Sequence, residues 1–417
     1  MSESKKGFTN FLQEFSIPLI VGVLAGIVAA NVDPGWYKDA IHAKPFGDAK
    51  IFGHGLDVHY MINDIFMVFF FGIAAKEITE SVLPGGDLNP PSKAINPLLG
   101  TLGGVFGPVG VYLLLTHVIY SGQEATNVAE GWGIPTATDI ALAWLVARMI
   151  FGNKHPAVSF LLLLAVADDA IGLGIIAVAY PKQAPEVMQL LYWTIPGMVL
   201  CYAMRKRGVN TWLPYIAFGG TLSWIGLSKA HLHPALALVV IVPFIPGPKR
   251  DTGLFEEKDE ADEADEAAAK GEPVHEHHDH SPLHNFEHNL KLPVDMGLFF
   301  FGFANAGVKF DTINEVTWIV LASLIVGKTI GIFAFSWVGT KLGFPLPKGM
   351  GLSHLAVAGV IAGLGLTVAL FVSGEAFKGN LAAYQGPAKM GAIFSAGAAI
   401  VAFGAARLLG VKRDDSS

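Results

Sequence analysis

Two adjacent carboxylates, Asp168 and Asp169, stand in the middle of a run (160–180, FLLLLAVADDAIGLGIIAVAY) that is otherwise apolar. A charge at bilayer depth costs at least ~2.5 kcal/mol, so two in succession are placed for chemistry rather than packing. Intramembrane acids line ion or proton paths and take a cationic partner. Such a cation exists: Lys328 interrupts the apolar run 318–339. Successive helical residues point about 100° apart. One aspartate is therefore expected to face Lys328 and the other an aqueous funnel. Hard cations prefer carboxylate, hydroxyl and carbonyl oxygens, and the same carboxylates bind protons. A site that holds Na⁺ or H⁺, but not both, exchanges them by competition. The plain alternative is a static buried ion pair, but one lysine cannot neutralise two acids.

The rest of the chain must hold these groups inside a membrane. Of 417 residues, 52% are hydrophobic and 15% charged, with a mean hydropathy of +0.48. Soluble domains carry about 25% charged residues, so low charge in long apolar blocks indicates a polytopic membrane protein. The 48 glycines fit, because small residues let spanning helices approach closely. A single cysteine, Cys201, excludes an internal disulfide. No nucleotide loop, zinc spacing within the bundle or Ser-His-Asp order suggests an enzyme, and no cofactor is expected beyond transported ions.

The expected fold is all-α and polytopic. About twelve transmembrane helices are drawn at 10–31, 58–84, 95–120, 132–151, 156–180, 185–204, 210–227, 231–247, 286–310, 316–341, 350–377 and 386–410. The first is read as a retained helix rather than a cleaved signal. With the N-terminus inside, 18 basic residues fall on the cytoplasmic side and eight on the other, which places both termini in the cytoplasm. The 31–56 loop carries turn residues Pro34, Gly35, Pro45 and Gly47 and is expected to form a small outer hairpin.

Two spans read as broken. In the fourth, Gly131, Gly133, Pro135, Thr136, Thr138 and Asp139 gather within nine residues; in the eleventh, Gly359, Gly363, Gly365 and Thr367 interrupt an apolar run. Unwound backbone at this depth is tolerated only when buried in protein or lining a wet cavity. Interrupted helices in matching places of two halves point to a transporter site, with spans 3–5 and 10–12 as the inverted repeats. Thr138 and the carbonyls of the fourth span would join Asp168 and Asp169 as Na⁺ ligands. Asp139 would offset a positive helix end. Glycine serving only close packing is the alternative for the eleventh span.

Residues 251–288 hold 13 acidic residues and two lysines, a charge of −11 within a whole-chain charge of −7. The chain thus divides into spans 1–8 (1–248), an acidic His-rich cytoplasmic linker (249–285) and spans 9–12 (286–417). The tract His275, His277, His278 and His280 could bind a transition metal; a solvated tether is the plainer reading.

Five motifs together carry a resemblance: NDIFMVFFFGIAAKEI (63–78), PTATDIA (135–141), ADDAIG (167–172), FANAGV (303–308) and GKTIGIF (327–333). The set resembles the NhaA-type bacterial Na⁺/H⁺ antiporters over about 58–376. The resemblance implies a twelve-helix inner-membrane fold in which helices 4 and 11 cross as broken helices. It implies Asp169 as the principal Na⁺/H⁺ carboxylate, Asp168 binding or pairing with Lys328, and Asp139 compensating helix dipoles. The Asp-Asp pair matches electrogenic members of the wider superfamily. Glu77, Glu287 and His288 match positions used in pH response, with ordinary interfacial residues as the alternative. The basic residue expected shortly after Glu77 is replaced by Glu80-Ser81, and Asp295 is an unusual acid near the ninth span.

The expected activity is electrogenic, pH-regulated exchange of Na⁺ (or Li⁺) for H⁺. The expected partners are those ions, the lipid bilayer and a second copy in a homodimer, with no nucleic acid. Other readings are a sodium-coupled symporter of an organic anion on a related fold, and a non-transporting pH or metal sensor.

Overall fold

The computed structural model of the chain describes residues 16–52, 54–83, 91–181, 184–247 and 281–413. The His275–His280 tract and most of the acidic linker lie outside them. The described residues are mostly helical, in the order α1 (Ile17–Val32), α2 (Pro34–Ile41), α3 (Val58–Val82), α4 (Ala94–Ile119), α5 (Gly122–Thr136), α6 (Ile140–Phe151), α7 (Pro156–Ala179), α8 (Val187–Lys206), α9 (Thr221–Lys229), α10 (Pro282–Ala306), α11 (Glu315–Lys341), α12 (Leu352–Ala362), α13 (Leu366–Ala376) and α14 (Gly379–Leu408). Among the described residues, six helices are long and apolar enough to cross a membrane, or up to eight if each bent pair counts as one span.

The expected hairpin is present as two strands, β1 (Lys50–Ile51) and β2 (His54–Gly55), paired antiparallel with Lys50 opposite Gly55. Pro34 and Gly35, read as turn residues, instead open α2. Asp33 accepts a hydrogen bond from Trp36 N at 3.0 Å and so caps that helix. Proline in the first turn loses no donor that the helix would have used.

The segment 231–247, read as the eighth span, is a chain of short turns that includes Pro234–Leu236 and Val242–Phe244. Pro234 and Pro243 each remove a backbone donor. Most bonds there reach back three residues, as in Ala237 to Pro234 and Ile241 to Leu238. Ala235, Leu238 and Val242 are nonetheless fully or almost fully buried.

Glycine sets the position of Lys328. Gly103 and Gly107 of α4 face Gly331 and Gly327 of α11, and a Cβ on any of the four would strike backbone of the facing helix. Small residues four apart on both helices let the backbones meet. The contact seats α11 against α4, which packs on α7. A second glycine contact joins α1 to α10, where a Cβ on Gly302 would lie 2.9 Å from Leu19 O.

The two breaks have separate causes. The α5–α6 pair bends by 54° and the α12–α13 pair by 47°. Pro135 leaves helical geometry (φ −85°, ψ 15°), and Ala137 is extended. At the second break the backbone changes direction over Gly363–Gly365. A Cβ on Gly363 would lie 2.9 Å from Leu324 O, so α11 presses directly on this break.

Candidate functional site

The two breaks touch each other. Asp139 N donates to Leu364 O at 2.6 Å, and Thr138 Oγ1 lies 3.0 Å from Ala362 O. Four half-helices therefore end at one place, and each end leaves backbone groups without intrahelical partners. Asp139 answers the two positive ends. Its Oδ1 accepts from Leu142 N at 3.2 Å, capping α6. Its Oδ2 accepts from Thr367 N at 3.2 Å and from the Thr367 hydroxyl, at the start of α13. One carboxylate thus serves two helix N-termini, where negative charge is favourable.

Asp168 sits on the neighbouring α7 with no solvent exposure. The Lys328 ammonium, equally buried, pairs with its Oδ2 and donates to Thr138 Oγ1 at 2.7 Å. Thr138 Oγ1 is 2.8 Å from the same Asp168 oxygen. Its single proton serves either that oxygen or the Ala362 carbonyl, while its lone pairs accept from Lys328. Asp168, Thr138 and Lys328 therefore form a closed triangle at the ends of α5 and α12.

Asp169 is excluded from that triangle. It is 9% exposed, and its Oδ1 has no hydrogen-bond partner among the described residues; neither has Asp168 Oδ1. Helical geometry turns it away from its neighbour, as the 100° step requires. A buried oxygen without a donor is costly. A bound cation or a proton would satisfy it. The carboxylates of Asp168, Glu77 and Asp139 lie within electrostatic reach of it, and carboxylate oxygens suit a hard cation.

The three residues expected to answer pH are less united. Glu77 on α3 is buried and within electrostatic reach of Asp169. Glu287 on α10 pairs with Lys76, which also holds Glu80 at 2.7 Å. Lys291 stands 3.9 Å from the other Glu287 oxygen. His288 is on the exposed face, its ring stacked on His284 at 6.3 Å, and it does not enter this cluster.

Sequence reading did not assign roles to Lys76, Glu80 or Thr367. Lys76, one residue before Glu77, is the base that pairs with Glu80 and Glu287. The Lys76–Glu80 spacing of four on an apolar helix was a usable signal. No local signal marks Thr367 as a partner of Asp139, because the two are 228 positions apart.

A helical membrane bundle with a buried acid pair, a buried lysine and two broken helices meeting at them defines a secondary transporter of small cations. The chain belongs to the Na⁺/H⁺ antiporter 1 family, whose sequence model matches residues 8–408. It is 54% identical over 415 residues to the Na⁺/H⁺ antiporter NhaA of Desulfitobacterium hafniense strain DCB-2, covering 99% of this chain and 98% of that one. Against the Na⁺/H⁺ antiporter NhaA of Geobacter sulfurreducens it is 54% identical over 405 residues, covering 97% and 98%. A more distant relative of the same name from a Jannaschia species is 41% identical over 436 residues, covering 97% and 99%.

Proposed function

We propose that the protein exports Na⁺ or Li⁺ in exchange for H⁺, with the two ions competing for Asp169. The unpartnered Asp169 oxygen beside the Asp168–Thr138–Lys328 triangle carries this reading. Na⁺ binding at Asp169, with Asp168 and Thr138 as neighbouring oxygens, displaces the proton; protonation releases Na⁺. Lys328 holds Asp168 and compensates the second acid in part. Asp139 keeps the two helix N-termini in place while the site changes access. Glu77, Glu287 and His288 tune the pH at which exchange begins.

Twelve spans follow when each bent pair is one span and α1, the 215–229 helix, the buried turns of 231–247 and α10 are added to the long helices. In this reading spans 3–5 and 10–12 are inverted repeats whose broken members cross. Both termini and the acidic linker lie in the cytoplasm, the protein sits in a bacterial inner membrane, and two copies form a homodimer. The linker is a tether within one transmembrane unit. The basic-residue bias supports the orientation.

Vesicles holding the purified protein test the proposal. An imposed Na⁺ gradient is expected to move protons without any organic solute, and an imposed potential to change the rate. Dependence on an added organic anion would replace the antiporter with a symporter. Indifference to voltage would replace electrogenic with neutral exchange.

A further inference from the structure

Helix α11 is 27 residues long, about 40 Å at 1.5 Å per residue against ~30 Å of hydrocarbon. Its last turns therefore stand in the interfacial layer, where tryptophan and lysine collect. There Trp337, Thr340 and Lys341, with Leu346, Met350 and Leu352 of the connection into α12, line an open groove of about 410 Å³. Trp337 is 42% exposed and Leu352 46%, so the groove has an accessible apolar wall. Lys341 Nζ lies 5.6 Å from the Trp337 ring centroid, and no carboxylate pairs with it among the described residues.

We propose that this groove binds an anionic glycerophospholipid. The phosphate sits on the Lys341 ammonium, and an acyl chain lies along Trp337, Leu346 and Leu352. The unneutralised cation selects an anionic headgroup over a zwitterionic one. The apolar wall selects a lipid over free phosphate. The groove joins the end of α11, which carries Lys328, to the start of α12, which ends at Ala362 beside Thr138. These helices already pack closely: a Cβ on Gly359 would lie 3.1 Å from Thr329 Cα. A lipid in the groove braces the same two elements, so its binding stabilises the folded protein.

The test uses the full chain in detergent, with thermal unfolding followed as phosphatidylglycerol, phosphatidylcholine or inorganic phosphate is added. Quenching of tryptophan fluorescence by brominated phosphatidylglycerol is read in parallel. Phosphatidylglycerol is expected to raise Tm and the other two to do little. Lys341→Gln should weaken its apparent affinity about fivefold, the equivalent of ~1 kcal/mol for one basic residue at an anionic surface. Trp337→Phe should remove part of the quenching. Lys341 is exposed at a helix end, so its variant folds. Equal stabilisation by phosphatidylcholine, or by phosphate alone, overturns the proposal, as does unchanged affinity in Lys341→Gln. So does cross-linking that shows a second copy of the chain seated over the groove.

Discussion

Two of the buried charge clusters among the described residues are built in opposite ways. At the helix breaks, Asp168, Thr138 and Lys328 come from three separate elements, and one lysine faces two acids. On α3 and α10, Lys76 grips Glu80 one turn along its own helix and Glu287 across to α10, and Lys291 stands beside Glu287. The first cluster leaves one oxygen of Asp168 and one of Asp169 without a hydrogen-bond partner among the described residues. The second shares its charges among several pairs. A deficit of cations at a broken backbone makes a site that must take up an ion. A shared network on intact helices makes one whose charges adjust. In the proposed function the first carries exchange and the second sets when exchange occurs.

The largest effect is expected at Asp169. Asp169→Asn keeps size and shape but can neither hold the charge nor cycle the proton, so Na⁺-driven proton movement in vesicles should fall to background. The folded protein should remain, by elution profile and helicity. Ordinary exchange by a folded Asp169→Asn protein would assign the chemistry elsewhere.

Lys328 comes next. Removing one member of a buried pair leaves an uncompensated charge and typically costs about 3–5 kcal/mol. Lys328→Ala should unfold at clearly lower temperature in detergent. Adding Asp168→Asn to it should recover part of the loss. Strict additivity of the two substitutions would show that they do not act as a pair.

A smaller and different effect is expected in the α3–α10 cluster. Lys76→Ala should keep the maximal exchange rate within about threefold and move the pH profile by about one unit, the usual size of a nearby-charge effect. Loss of all activity in a folded Lys76→Ala protein would erase the functional division between the two clusters.

The smallest effect is expected from the acidic linker. Deleting 254–280 spares Ser281, whose side chain accepts from His284 N at 3.2 Å and caps α10. Maximal exchange should persist, with at most a shifted pH profile from the lost histidines, which titrate near pH 6.5 when unperturbed. A stable, inserted deletion protein without exchange would place an essential element in that segment.

Much of the architecture was legible because the bilayer imposes simple rules on sequence. Long apolar runs mark the spans, and any acid or lysine inside one stands out against its cost. Asp168, Asp169 and Lys328 were found that way, and Pro135 with the 363–365 glycines announced the breaks. Legibility failed where a local rule had two outcomes. Pro34 and Gly35 suit a turn as well as a helix start, and Asp33 decided for the helix. The 231–247 segment is apolar enough for a span, yet its prolines divide it into turns. Other relations depend on elements remote in sequence. Which aspartate meets Lys328 depends on how α7 and α11 both pack on α4. That Asp139 caps two helices required α13 to arrive beside α6. Sequence alone determined the membrane class and the cost of each buried charge, because those follow from composition along one helix. Tertiary structure decided which charges are satisfied, because a partner's position is set by packing between segments that the sequence does not place side by side.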